Sequence, residues 1–148
     1  MAFREFIFKL FCPGEFSPAQ LQSFQADTVE MLESNVPLSI TFHNVQLPGM
    51  PLNNQQRSTA AALVLTNRRF LISSRCTPVL DVFTDQPRLT ALELTLGQNE
   101  TCSELTIQFN LEDFAPHGSG TVILKIKLFE ADRLYAALKE KQKNLKFF

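Results

Sequence analysis

Histidine is the residue that most often serves as a general base near neutral pH, and this chain of 148 residues holds only two. His43 alternates with apolar neighbours, as an ordinary residue on the polar face of a strand does, and the sequence offers no Ser or Cys to pair with it. His117 stands beside Gly118 and is interpreted as a loop residue. Asp81 and Asp85 are close in sequence, but they fit turn chemistry better than a catalytic pair of carboxylates. The sequence therefore predicts no active site, and we expect no enzyme.

The cysteines are the next candidates for chemistry. Cys12, Cys76 and Cys102 are far apart, odd in number and never form a CxxC pair. A zinc site needs four clustered ligands, so buried free thiols in a reducing compartment explain these residues better. We expect neither a metal nor a cofactor.

Two pairs of neighbouring cations could contact an anion: Arg68 with Arg69, and Lys125 with Lys127. For the arginines we favour an exposed turn residue beside one whose aliphatic stem packs on the protein. For the lysines, which alternate with apolar residues, we favour a solvated or edge-protecting face of a strand. Fourteen basic against fifteen acidic residues give a net charge of −1, which supplies no field for binding phosphates. We expect no nucleic-acid partner.

The two ends of the chain are rich in phenylalanine. Residues 1–11 predict a short amphipathic helix, and the tail 139–148 carries four lysines before its terminal aromatic pair. In the plain interpretation the helix packs on the domain and the tail frays. In the functional one, either end contacts a protein partner, a second copy of the chain or a membrane surface. The candidate contact residues are Phe3, Phe6, Phe11, Phe147 and Phe148.

Residues 1–36 as a whole are predicted to form a helical extension. Ser17-Pro18 is typical of a helix start, with a hydroxyl at the N-cap and proline in the first turn. Side chains of one face then recur at helical spacing: Leu21, Phe24, Thr28, Met31 and Leu32. This spacing predicts a helix as far as about Glu33, with Pro37 closing the region.

Residues 37–148 show a different period. Apolar and polar residues alternate, which predicts about seven short strands followed by one helix. The predicted strands lie at 38–43, 60–65, 70–72, 78–83, 92–96, 105–111 and 122–128, and the helix at 131–138. Short connections favour antiparallel neighbours, and a sheet of this size tends to curl or split. The predicted fold class is α+β: a curved antiparallel β-sandwich or barrel with a C-terminal capping helix.

This element order resembles the pleckstrin-homology-like (PH-like) superfold. The segment 62–72, Ala-Leu-Val-Leu-Thr-Asn-Arg-Arg-Phe-Leu-Ile, is similar to a hairpin of GRAM-type and bacterial PH-like domains. The segments 81–89 and 109–122 also resemble an uncharacterised bacterial family of this type. The resemblance covers about residues 38–140 and implies a binding role, toward lipid headgroups or protein segments. Members that bind phosphoinositides carry a basic cluster on the first hairpin loop, where this chain has only Arg57, which argues against inositol phosphates.

These observations favour a non-catalytic binding module that recognises a protein segment along a sheet edge or groove. The alternative is peripheral binding to anionic membranes through the basic tail with its terminal phenylalanines. A third possibility, an enzyme or small-ligand carrier, has no set of residues behind it. No apolar run approaches the ~20 residues of a membrane span, so we expect a soluble, cytoplasmic protein.

The thiols give a first testable prediction. If the three cysteines are small buried hydrophobes, then neither a reductant nor a chelator should change the melting temperature, measured by calorimetry. A fall of several degrees with either reagent would reveal a disulfide or a bound metal.

Overall fold

A computed structural model describes residues 14–47, 50–52, 55–75, 77–98, 103–114 and 117–145. The predicted helix over 1–11, the three cysteines and the last three residues lie outside these ranges, and with them Phe3, Phe6, Phe11, Phe147 and Phe148. The chain divides into two units: one of residues up to Pro37 with Thr59–Thr84, the other of Leu38–Ser58 with the chain from Asp85 on.

Antiparallel strands make up most of the described chain. They are β1 (Val29–Leu47), β2 (Met50–Leu52), β3 (Gln56–Thr66), β4 (Arg69–Ser74), β5 (Thr77–Phe83), β6 (Glu93–Gln98), β7 (Ser103–Asn110) and β8 (Ser119–Leu128). The helices are an N-terminal helix (Pro18–Ser23) and a C-terminal helix (Ala131–Leu145), with 3₁₀ turns at Pro87–Ala91 and Leu111–Asp113. Seven strands are hydrogen-bonded in the order β5-β4-β3-β1-β8-β7-β6, and β2 pairs with β1. The predicted α+β class, with seven antiparallel strands and a C-terminal helix, is confirmed.

The predicted helix to Glu33 is wrong. The N-terminal helix begins as expected, because Ser17 and Gln20 form a reciprocal capping box, but it ends at Ser23. Residues 29–36, which we assigned to the helical extension, belong to β1, and Pro37 lies inside that strand instead of closing a helix. The error has a physical cause: a β-bulge interrupts the alternation of β1, so the sequence lacks the period of two that indicates a strand.

Two asparagines in left-handed conformation produce the irregularities of β1. Asn35 has φ 56° and Asn44 has φ 53°. Before Asn35 the odd-numbered Met31 is buried, whereas after it the even-numbered Val36 and Leu38 are. At Asn44 the pairing with β8 shifts register, and Val45 becomes the buried residue. Each bulge therefore exchanges the two faces of the strand.

A glycine lies against each bulge. The Gly14 carbonyl accepts a hydrogen bond from the Asn35 N–H, and a Cβ on Gly14 would lie 2.5 Å from Asn35 Oδ1. Gly120 has φ +108°, and a Cβ there would lie 2.6 Å from both the Asn44 carbonyl oxygen and Val45 Cα. Close backbone approach therefore requires glycine at both positions.

The first unit buries both faces of its strands. Ala61, Leu63 and Leu65 of β3 are buried on one face. On the other face Ala62, Val64 and Leu71 form a cluster with Phe16 and Phe24. The two phenylalanine rings pack edge to face, with their centroids 5.3 Å apart. This arrangement explains why the sequence of β3 is apolar at consecutive positions.

The second unit has one apolar and one polar face. Its apolar face consists of Leu38, Ile40 and Phe42 of β1 opposite Ile126, Leu124 and Val122 of β8, which are in turn opposite Leu105, Ile107 and Phe109 of β7. The C-terminal helix packs against β6, β7 and β8, burying Ala131, Leu134, Leu138 and Gln142 at helical spacing. The amide of Gln142 donates hydrogen bonds to the carbonyls of Leu89 and Leu92, at 2.7 and 2.8 Å. The helix is thereby joined to the 3₁₀ turn before β6.

Gly120→Ala and Gly97→Ala form a matched test of the bulge at Asn44. The first change places a Cβ against backbone at positive φ and should lower the free energy of unfolding by roughly 2–4 kcal/mol. The second adds a Cβ whose nearest neighbour is the Glu104 carbonyl at 3.8 Å, so we expect a change within about 0.5 kcal/mol. Urea unfolding of both variants measures the difference. Equal stabilities would show that the chain avoids the close approach at Gly120.

Candidate functional site

The β3–β4 hairpin determines where the two arginines lie. The Thr66 hydroxyl accepts hydrogen bonds from the N–H groups of Arg68 and Arg69, at 3.1 and 2.9 Å. Asn67 does not adopt the left-handed conformation that asparagine tolerates in tight turns: among the described residues other than glycine, only Asn35, Asn44 and Arg75 have positive φ. Its side chain accepts from the Thr28 N–H, and its own N–H donates to the Thr28 carbonyl. The hairpin itself was predicted correctly, with Leu65 paired to Phe70.

Arg69 forms a bidentate ion pair with Asp81 of the neighbouring strand. Its Nε donates to Asp81 Oδ1 and its Nη2 to Oδ2, both at 2.7 Å, while Nη1 donates to the Ser23 hydroxyl at 3.0 Å. Asp81 is therefore a residue of β5 and not the turn residue that we predicted. The Arg69 side chain is 17% exposed and the Asp81 side chain 33%.

The Arg69 guanidinium of this pair does not change its charge near neutral pH. The hydrogen bond to Asp81 raises the pKa of Arg69 above its ordinary value, and burial opposes this only in part. Because the pKa of Arg69 is raised in the folded state, its charged guanidinium contributes stability at neutral pH that is lost only as pH rises above the ordinary arginine value. The Arg69 guanidinium therefore stays charged at neutral pH, and three of its five N–H donors are used within the protein.

The Arg68 side chain differs from that of Arg69 in its exposure and in its contacts with acidic residues. Its side chain is 69% exposed, and its closest acidic contact is Asp27 at 3.8 Å. This agrees with the interpretation of Arg68 as an exposed turn residue. Asp27 also accepts a hydrogen bond from the Thr66 hydroxyl. The Asp27 carboxylate thus contacts both Thr66 and Arg68 of the turn.

The register of β5 shows which of its backbone groups face outward. The Thr84 N–H donates to the Arg68 carbonyl at 2.8 Å, and Val82 and Leu80 lie opposite Phe70 and Ile72. Hydrogen-bonded and non-hydrogen-bonded pairs alternate along an antiparallel ladder, so Val82 and Leu80 bond to β4. The N–H and C=O groups of Asp81 and Phe83 therefore point to the opposite edge. Within the described chain, no strand pairs with that edge of β5.

The side chain of Phe83 adds an apolar group to this edge. It is 40% exposed and lies opposite Arg69 in the ladder, on the same face as Asp81. Val82 and Leu80, on the opposite face, are buried. We use the term "β5 edge" for the outward backbone groups and side chains of Asp81 and Phe83.

The lysines occupy a different environment. Lys125 and Lys127 are exposed on β8, which lies between β1 and β7, so they protect no strand edge and that part of our interpretation is wrong. Lys127 lies opposite Glu104, and Lys125 lies between Ser39 and Thr106. The residues on both sides are polar. The lysines therefore belong to a solvated sheet face.

The remaining predicted positions do not come together. His43 and His117 are exposed, and the Arg57 guanidinium lies in β3, 5.8 Å from the centre of the Phe42 ring. Within the residues that the structure describes, no three His, Cys, Asp or Glu side chains are grouped as a metal site requires. In the same residues, no helix has the length and apolarity to cross a bilayer.

Comparison with models of protein families, with curated proteins and with solved structures finds no match for the chain. The candidate functional site is therefore identified from the geometry of the chain alone.

Sequence reasoning did not single out Phe83 as a candidate residue. The sequence predicts β5 correctly, but it does not show that β5 is the last strand of the hydrogen-bonded order. One signal was present: the alternation along the strand places Phe83 on the same face as Asp81 and opposite to Leu80 and Val82.

Arg69→Met and Arg68→Met compare two adjacent cations with different contacts. Loss of the bidentate bonds leaves Asp81 without its partner, so we expect Arg69→Met to lower the free energy of unfolding by about 1–2 kcal/mol. Arg68→Met should change it by less than about 0.5 kcal/mol, because exposed ion pairs contribute little. Chemical denaturation measures both values. A larger effect from Arg68→Met would contradict the assignment of the ion pair to Arg69.

Proposed function

We propose that this chain is a non-catalytic, PH-like binding module that pairs with an extended segment of another protein along the β5 edge. The observation that carries the proposal is the outward orientation of the Asp81 and Phe83 backbone groups beside an exposed phenylalanine. An extended segment placed there would continue the antiparallel ladder, with hydrogen bonds from its backbone and contacts from alternate side chains. The PH-like part of the proposal rests on the resemblance of the element order and of the segment 62–72 in the sequence.

The other end of the hydrogen-bonded order, β6, is a weaker candidate. Its exposed positions are Glu93, Thr95 and Gly97, which offer no large apolar side chain to a partner. Edge strands avoid unwanted pairing by carrying charges or proline. The one charged side chain of β5 is already paired with Arg69, so the edge near Phe83 presents no free charge of its own.

Only a short part of β5 is open to pairing. Pro78 has no N–H, and the register shift opposite Ile72 and Ser73 leaves Val79 as an extra residue. The open part therefore offers four backbone groups, each worth about 0.5–1.5 kcal/mol net in a hydrogen bond. Because association itself costs about 4–15 kcal/mol, backbone pairing alone cannot hold a partner. Burial of Phe83 has to supply part of the affinity, and we expect binding to be weak and reversible.

The membrane alternative depends on Lys146, Phe147 and Phe148, which lie outside the described residues. In the described part of the C-terminal helix, exposed Lys139 and Lys143 flank the exposed Glu140. This mixed surface does not favour an anionic membrane over a protein. We therefore treat vesicle binding as an outcome that the experiment can detect.

A peptide selection tests the proposal. Random peptides displayed on phage are selected against the full chain, and amide hydrogen exchange is then measured by NMR with and without a selected peptide. In the free protein the Leu80 and Val82 amides should be protected and those of Asp81 and Phe83 should exchange quickly. Bound peptide should protect Asp81 and Phe83.

Phe83→Lys and Leu32→Lys are matched variants for this experiment. A lysine at Phe83 removes apolar contact and opposes strand addition, so affinity should fall about tenfold or more. Leu32 is 46% exposed, comparable to Phe83, but lies on β1, which β3 and β4 separate from β5. Its substitution should leave affinity within about twofold. Protection at β6 instead of β5, or binding of anionic vesicles without any peptide effect at β5, would overturn the proposal.

A further inference from the structure

The side chains of the β5 edge have opposite character at a fixed spacing. Asp81 and Phe83 point to the same face of the strand and are about 7 Å apart along it. A segment paired with this edge would place one side chain opposite Phe83 and another, two residues away, opposite Asp81. Two alternate side chains of a bound segment would thus contact the β5 edge, one at Phe83 and the other at Asp81.

The Arg69–Asp81 ion pair beside the β5 edge favours one sign of charge on a partner side chain. Arg69 uses Nε and Nη2 on Asp81 and Nη1 on Ser23, and its side chain is only 17% exposed. Each Asp81 oxygen accepts one hydrogen bond from Arg69, whereas a carboxylate has about four acceptor sites. The Asp81 side chain is 33% exposed, so its remaining acceptors are the accessible part of the pair.

From this asymmetry we infer that the segment recognised at the β5 edge carries a large apolar side chain and, two residues away, a lysine or arginine. This inference rests on the proposed function and specifies its partner. The apolar side chain covers Phe83, and the cation donates to the free acceptors of Asp81. An acidic residue at the same position would face the Asp81 carboxylate, while Arg69, with three of its five N–H donors already used, is the less exposed member of the pair.

Three synthetic peptides test the inference. Each has about seven residues, the usual length of a strand, alternates threonine with valine, and carries phenylalanine at the position that faces Phe83. They differ two residues away, where they carry Lys, Gln or Glu, and each is made in both orders because the direction of the added strand is open. We expect affinity, measured by titration calorimetry with the full chain, to fall from Lys to Gln to Glu, by about two- to fivefold at each step.

Asp81→Asn provides the reciprocal change. It keeps an oxygen that can accept from Arg69 but removes the charge, so the Lys and Gln peptides should then bind equally well. Protection of the Leu80 and Val82 amides from hydrogen exchange confirms that β5 remains paired in this variant. Arg68→Met alters a cation that does not contact Asp81, and it should leave the order of the three peptides unchanged.

The outcomes separate this inference from the proposed function. If no peptide protects the Asp81 and Phe83 amides, the proposed function fails and the inference fails with it. If peptides protect these amides but Glu and Lys bind equally, or Glu binds more tightly, the edge is a binding site and the inference about the cation is wrong.

Discussion

Left-handed backbone at two asparagines is the constraint on which the rest of the structure depends. β1 has 19 residues and contributes to both units, its first part to one and its second part to the other. In a regular strand of this length, every second side chain would point to the same face from one end to the other. The bulges at Asn35 and Asn44 exchange the faces, so that Met31, Leu38 and Val45 are all buried, although an odd spacing of seven residues would place them on alternate faces of a regular strand. Asparagine tolerates this conformation at lower cost than most side chains, because it can hydrogen-bond locally.

The position of the candidate site follows from the hairpin beside β1. The Thr66 hydroxyl holds the turn, and the two hydrogen bonds between Asn67 and Thr28 join that turn to the start of β1. Arg69 follows at the beginning of β4, where its guanidinium reaches Asp81 on the next strand and Ser23 at the end of the N-terminal helix. One side chain therefore links a helix, an inner strand and an edge strand. The geometry of the β5 edge depends on the same contacts that hold the N-terminal helix in place.

Most strands could be predicted because their residues alternate without interruption. β7 and β8 each keep one face apolar along their whole length, and the C-terminal helix has a single buried stripe. The start of β1 could not be predicted, since the bulge at Asn35 leaves apolar residues at spacings that also fit a helix. The pairing of Arg69 with Asp81 and the edge position of β5 depend on strand order. Strand order arises from contacts between distant segments, which local periodicity does not contain. Thus β5 could be predicted, but its exposed edge could not.

A strand edge without a partner strand needs features that limit which strands can pair with it. β5 has one at its start, where Pro78 and the extra residue Val79 interrupt pairing, and another at Asp81, whose charge is balanced but partly accessible. A free lysine would oppose every incoming strand, whereas a carboxylate already held by Arg69 opposes chiefly those that bring negative charge. In the proposed binding mode few backbone groups are available, so discrimination between partners would come from the side chains of Asp81 and Phe83. The Arg69–Asp81 ion pair would then contribute less to the strength of binding than to the choice of partner, because weak backbone pairing lets a single unfavourable contact decide the outcome.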